Sequence, residues 1–326
     1  GARSVPAVRW FCLRADRMLD ARLEAWLEQV NRQKLDFAAN EVAADPAVVR
    51  SNLEKMTAQF VSSGPFLPWV EDRIVDAQGM SVGVRLYDPA PERPKPVALF
   101  LHGGGHMAGS VAVYDPICRR IADACGWLIV SVEYRLAPEH PYPQGLADCL
   151  HVVRHVWLLL EAEKRLFTRR LALIGDSGGG ALAATISAIA QHDSSLNLDS
   201  QVLIYPSLDY TLDHVSVREN GQGYLLEQAR MAWYFDCYFQ QNEDRQAASP
   251  LYMPATQNLP PTLLISAGYC PLRDEALAYV ERLAASGVPH HHRHFADMIH
   301  AYLNLETLVP EACAQTYREI GRFLSA

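Results

Sequence analysis

From Val97 onward, short apolar runs alternate with longer stretches in which apolar residues recur every three or four positions. The runs are Val97 to His102, Trp127 to Tyr134, Leu171 to Asp176, Val202 to Pro206 and Thr262 to Gly268. Runs that are apolar at every position suit strands buried on both faces of a parallel sheet. The stretches Leu146 to Glu163, Gly178 to Gln191, Arg273 to Ser286 and Pro310 to Leu324 have helical spacing. The alternation predicts an α/β fold, a mostly parallel central sheet flanked by helices on both faces. Upstream, residues 10 to 60 read as helical, with Leu19, Leu23, Trp26, Leu27 and Val30 in phase and a second piece from Pro46 to Phe60. Arg73 to Ala77 and Met80 to Tyr87 predict a hairpin turning at Gln78-Gly79. The aromatic-rich segment from Asp209 to Pro250 interrupts the rhythm. With the N-terminal helices, it is expected to form a lid over one edge of the sheet.

Composition narrows the function classes. The 326 residues carry a formal net charge of −8, so a nucleic-acid partner, which needs clustered Lys and Arg, is not expected. No stretch approaches ~18 consecutive apolar residues, which argues against a membrane span. Arg3, Arg9, Arg14, Asp16 and Arg17 break any apolar signal segment, so a cytoplasmic location is expected. The 7 cysteines are scattered without a CxxC and read as small buried hydrophobes rather than disulfides or zinc ligands. His290, His291, His292 and His294 resemble a metal cluster, but neighbouring strand residues face opposite sides, so no metal is expected. His151 and His155, four apart on a helix without an H-E-x-x-H pattern, read as a solvated face.

Two glycine loops carry the candidate chemistry. Gly175-Asp176-Ser177-Gly178-Gly179 joins a strand to a helix and fits G-x-S-x-G, a sharp turn that lifts a serine hydroxyl above the strand ends. His102-Gly103-Gly104-Gly105 ends an earlier strand, where side-chain-free backbone N–H groups can converge on developing negative charge. No Lys-Ser/Thr follows, which excludes a P-loop, and Ala108 breaks a dinucleotide fingerprint. A nucleophile loop and an oxyanion loop after two different strands point to acyl transfer, with no cofactor.

The chain resembles the hormone-sensitive lipase family of α/β hydrolases. The likeness rests on HGGG at His102, EYRLAPEHPYP from Glu133 to Pro143, GDSGGG at Gly175, ENGQGYLL from Glu219 to Leu226, PLRDE from Pro271 to Glu275 and MIH from Met298 to His300. It implies an α/β-hydrolase core over residues 61–326, a cap made of residues 1–60 and an insertion at about 209–250, and is compatible with a homodimer. It implies a serine carboxylesterase acting on short- to medium-chain acyl esters, with Ser177 as nucleophile and His300 as general base. The oxyanion donors carried over are the backbone N–H groups of Gly104, Gly105 and Gly178. Most relatives have Ala at the last of these, but only its N–H is used.

The chain departs from the family at one place. The family's catalytic acid is the first Asp of D-P-L-R-D, and here the sequence reads Cys270-Pro271-Leu272-Arg273-Asp274. A thiol is a weak hydrogen-bond partner with an ordinary pKa of ~8.5 and cannot hold an imidazolium as a carboxylate does. Three readings follow. Another carboxylate substitutes, Asp274 ahead of Asp209 and Asp297; or the enzyme runs as a slow Ser-His dyad; or the chain is a catalytically weak ligand-binding protein on the same scaffold, as the plant gibberellin receptor is. A correctly spaced serine and histidine favour the enzyme, and Asp274 is the expected substitute acid.

Overall fold

The computed structural model describes residues 18–38 and 45–326. The parts of the expected N-terminal helical region at 10–17 and 39–44, and Cys12, lie outside them. Eight strands form one sheet: β1 (Trp69–Ala77), β2 (Met80–Asp88), β3 (Val97–Leu101), β4 (Leu128–Glu133), β5 (Leu171–Asp176), β6 (Ser200–Ile204), β7 (Thr262–Ala267) and β8 (His290–Phe295), in the order β1-β2-β4-β3-β5-β6-β7-β8. β1, β2 and β4 pair antiparallel and the remaining neighbours are parallel. The hairpin turns where expected, with Gln78 and Gly79 at φ 52° and 77°, as a two-residue turn between twisted strands requires.

The continuous apolar runs are explained by two cores. Ala98 and Phe100 of β3, with Ile129, Ile174 and Ile265, face one side of the sheet. Val97, Leu99 and Leu101, with Val130, Leu173 and Leu264, face the other. α3 (Val111–Cys125) and α9 (Pro310–Ser325) cover the first side through Ile117, Ile121 and Ile320. α4 (Gln144–Ala162), α5 (Gly178–Ala190) and α8 (Arg273–Ala285) cover the second through Val152, Val156, Ile186 and Leu283. α3 is absent from the helices expected from periodicity. Pro116 stands in its interior, which normally breaks a helix, but Ser110 caps the start and burial of Ile117, Cys118 and Ile121 outweighs one lost backbone bond.

α1 (Ala21–Ala38) and α2 (Pro46–Phe60) precede the sheet, and α6 (Val215–Glu219) and α7 (Gln228–Tyr238) lie in the segment after β6. Asn31 donates to the Gly223 carbonyl and Lys34 pairs with Glu227, so α1 rests on that later segment. His151 corrects the expected solvated face. It is buried between α4 and β1 and lies 3.2 Å from the Val75 carbonyl, because the hairpin covers that side of the helix. His292 and His294 share one face of β8, each with a ring nitrogen 2.7 Å from the Ser266 hydroxyl. Among the described residues no helix is long and apolar enough to cross a membrane.

Candidate active site

The sheet order sets the site. β3 lies between β4 and β5, so the chain leaves β3 toward one side and returns on the other, and open α/β sheets bind ligands in the crevice such a reversal creates. In register, Leu101 pairs with Gly175. The loop after β3 and the turn after β5 therefore emerge side by side. At the far end Ala267 pairs with Phe295, and the Tyr269 N–H donates to the Met298 carbonyl at 3.0 Å, which brings Cys270 beside His300.

Ser177 sits at φ 56°, ψ −112°, a strained conformation for a residue with a side chain. The surroundings hold it there: its N–H donates to the Ile204 carbonyl and its carbonyl accepts from Ser207 and Gly180. The elbow presses against β3 so closely that a Cβ on Gly179 would lie 1.9 Å from the Leu101 carbonyl oxygen. α5 then starts at Gly178 with its N-terminus toward the serine, the end of a helix that favours negative charge.

Ser177 Oγ lies 2.8 Å from His300 Nε2. Gly104, at φ 127°, turns the oxyanion loop back so that its carbonyl accepts from Met107 and Ala108. The amides of Gly104, Gly105 and Gly178 donate to no other backbone group among the described residues, and all three glycines line the cavity beside Ser177. Arg50 of α2 anchors the loop, donating to the Met107 carbonyl at 2.8 Å and pairing with Glu139. Tyr134 donates to the His102 carbonyl at 2.6 Å, and His106 stacks on Tyr238 at 4.0 Å.

The partner of the imidazole is the thiol. His300 Nδ1 lies 3.1 Å from Cys270 Sγ, which also accepts from the Leu272 N–H at 3.4 Å. Asp274 does not serve as the expected substitute. Its carboxylate accepts from the Ser216 N–H at 2.9 Å and from Arg273 at 3.0 Å, because the first turn of α8 points it toward α6. Asp209 is held by His214 at 2.8 Å and by Tyr252 at 2.7 Å, and Asp297 is exposed. No carboxylate among the described residues is hydrogen-bonded to His300. Burial accordingly pushes its pKa down to about 3, with no anion to lift it. Burial pushes the Cys270 thiol up, so it stays protonated at neutral pH.

Asp176, which precedes the serine, is fully buried and accepts from the Tyr205 hydroxyl at 2.9 Å. Burial pushes its pKa up to about 7, although the hydroxyls of Tyr205 and Tyr114 favour the charged form. The Tyr205 ring meets the imidazole of His300 with centroids 4.7 Å apart at 60°. Tyr205 and Arg50 carry no recognisable signal in the sequence. An aromatic ending a buried strand and an arginine on an amphipathic helix carry no pattern that separates such roles from packing. The cavity above Ser177 measures about 710 Å³ and is lined by Leu53, Met56, Leu226, Met231 and Phe235, with Lys34, Glu227 and Arg230 also on its wall.

A serine-histidine pair at the switch point of such a sheet, beside a glycine loop, defines an α/β hydrolase. Residues 97–304 match a family described as alpha/beta hydrolase fold, and the chain belongs to that family, in its hormone-sensitive-lipase-like branch. The esterase LipI of Mycobacterium tuberculosis is 33% identical, over 76% of this chain and 79% of that protein. The carboxylesterase NlhH of the same organism is 34% identical, over 77% and 81%. Among solved structures, a hyperthermophilic esterase from Pyrobaculum calidifontis superposes with a TM-score of 0.83 at 31% identity, covering 94% of this chain and 98% of that one. These relatives support ester hydrolysis.

Proposed function

We propose that the chain is a serine carboxylesterase that cleaves short- to medium-chain acyl esters through an acyl-enzyme. The observation that carries this reading is the 2.8 Å contact between Ser177 Oγ and His300 Nε2 at the mouth of an apolar cavity. Ser177 attacks the ester carbonyl carbon while its proton passes to Nε2. The oxyanion forms toward the N–H groups of Gly104, Gly105 and Gly178. Collapse expels the alcohol, which takes the proton from Nε2, and water repeats the sequence on the acyl-enzyme. For Nε2 to accept, the single N–H proton of the neutral ring must sit on Nδ1, so Cys270 Sγ acts as the acceptor that selects this tautomer. A neutral sulfur orients the ring but supplies no counter-charge to the imidazolium, so turnover is slower than a carboxylate would allow.

N-terminal helices and the insertion at about 209–250 act as a cap that limits the acyl chain. The rival reading, a catalytically weak ligand-binding protein, has no need of a strained serine within hydrogen-bond reach of a histidine. Ser177→Ala is expected to abolish hydrolysis of a short chromogenic ester with an unchanged thermal melt. Activity near the parent level would remove Ser177 from the mechanism.

A further inference from the structure

The missing counter-charge raises the question of what else touches the imidazole. Ser177 Oγ and Cys270 Sγ occupy its two nitrogens. The Tyr205 ring meets the imidazole at 60°, with 4.7 Å between centroids, inside the ~6 Å range over which a cation is drawn to an aromatic ring. Three contacts hold Tyr205 in place. Its N–H donates to the Ile265 carbonyl at 2.8 Å, its hydroxyl donates to Asp176 at 2.9 Å, and its ring meets Tyr302 at 5.5 Å and 71°. The side chain is 1% exposed, so no water competes for the imidazole from that direction. Its backbone φ of 32° lies outside the regions favoured by side-chain-bearing residues, which indicates that the surrounding bonds dictate its placement.

We propose that Tyr205 is a positioning residue for His300: its ring fixes the plane of the imidazole and supplies part of the charge stabilisation that a carboxylate at position 270 would give. This rests on the serine-esterase reading above. In the resting enzyme the ring favours the orientation in which Nε2 faces Ser177 and Nδ1 faces Cys270. When Ser177 transfers its proton, the new positive charge lies against a buried π-system whose hydroxyl donates to Asp176. That hydrogen bond pushes electron density into the ring. Glu275 and Arg273 act on Cys270 from α8, and neither hydrogen-bonds to the imidazole.

The test is a double-mutant cycle on one chromogenic ester, using Tyr205→Leu, Cys270→Asp and the double variant, with Tyr205→Phe as the conservative control. In the parent background Tyr205→Leu is expected to lower kcat about 30-fold with KM changed less than about threefold, the effect of losing a desolvated cation–π contact. Tyr205→Phe keeps the ring but loses the hydroxyl contact to Asp176, and is expected to fall between the parent and the leucine variant. With Asp at position 270, Tyr205→Leu is expected to cost only a few fold, since the carboxylate then orients and compensates the imidazole. Imidazole ¹⁵N shifts supply a readout independent of turnover: the parent shows Nδ1 protonated at pH 7, and Tyr205→Leu shows a mixture of tautomers. If the leucine variant does not melt cooperatively, Tyr205→Met answers the same question. Equal losses in both backgrounds, or unchanged tautomers, would overturn the proposal and leave Tyr205 as packing. Retained hydrolysis in Ser177→Ala alongside a shifted tautomer would sink the esterase reading instead and leave the positioning role standing.

Discussion

At the scale of single residues, position 270 decides how the histidine works. A carboxylate there would raise the pKa of His300 from about 3 and stabilise the imidazolium that forms in turnover. Cys270→Asp is therefore expected to raise kcat, by up to ~10³- to 10⁴-fold if nothing but the thiol and Tyr205 now supports the ring. The pH profile gives the sign independently. A base held neutral down to about pH 3 keeps the acid limb of kcat/KM far below the ordinary histidine range, and Cys270→Asp should move that limb upward toward ~6. An acid limb that stays fixed would show that the imidazole at position 300 does not govern it. Asp274→Asn is expected to leave the rate within about threefold and instead loosen the junction of α8 with α6. The sequence shows that the usual acid is absent but not what replaces it. Cys270 is visible in the order of residues, whereas the aim of Asp274 depends on the direction in which the first turn of α8 leaves the sheet.

At the scale of elements, apolar runs identify β3 to β7, and α4, α5, α8 and α9 follow from spacing, whereas α3, α6 and α7 do not. The legible strands and helices are the parts whose burial is two-sided or whose pattern is unambiguous. β8 carries four histidines and one arginine before Phe295, so it is read as a strand from the resemblance to the family rather than from an apolar run. The two glycine loops were legible because close approach leaves no alternative residue. Gly179→Ala is expected to destabilise the fold by several kcal/mol, since its Cβ would meet the Leu101 carbonyl at 1.9 Å and β3 cannot yield without breaking its ladder. A melt within about 2 °C of the parent would refute that packing argument. Arg50→Ala removes the strut between α2 and the oxyanion loop. It is expected to raise KM and lower kcat together, by roughly tenfold, a pattern typical of groups that position rather than react.

For the molecule as a whole, acid stability is a contest between buried groups of opposite kind. Burial holds His102, His106 and His300 down to about 4, 3 and 3. Their unfolded counterparts take up protons near ~6.5, so their contribution is complete above that pH and is lost as the pH falls toward 4. Asp176, pushed up to about 7 by burial, and Glu275, pushed well above its usual range by burial, act the other way: the folded chain keeps protons that the unfolded one releases. With His292 also lowered and Glu133 also raised by burial, the lowered histidines outnumber the raised carboxyls, so stability declines between roughly pH 6 and 4.5. Thermal melts should fall over that window, and Asp176→Asn should steepen the fall by removing an opposing proton. The cavity sets a second global property. With about 710 Å³ under a cover of α1, α2 and α7, rates should decline as acyl chains lengthen, and a profile rising toward long-chain triglycerides would contradict an enclosed acyl site.

The thiol at position 270 also makes the site a clock. It is 1% exposed and stays protonated, so an alkylating reagent reaches it only when the start of α8 lifts from the sheet. Cys125 and Cys237, only half-buried, offer earlier targets and an internal reference. The rate at which iodoacetamide extinguishes activity would then report the fraction of time the base's socket stands open, scaled by the reactivity of the freed thiol. A bound substrate analogue should slow that rate by the factor with which it favours the closed state, so that occupancy is read from protection without any turnover.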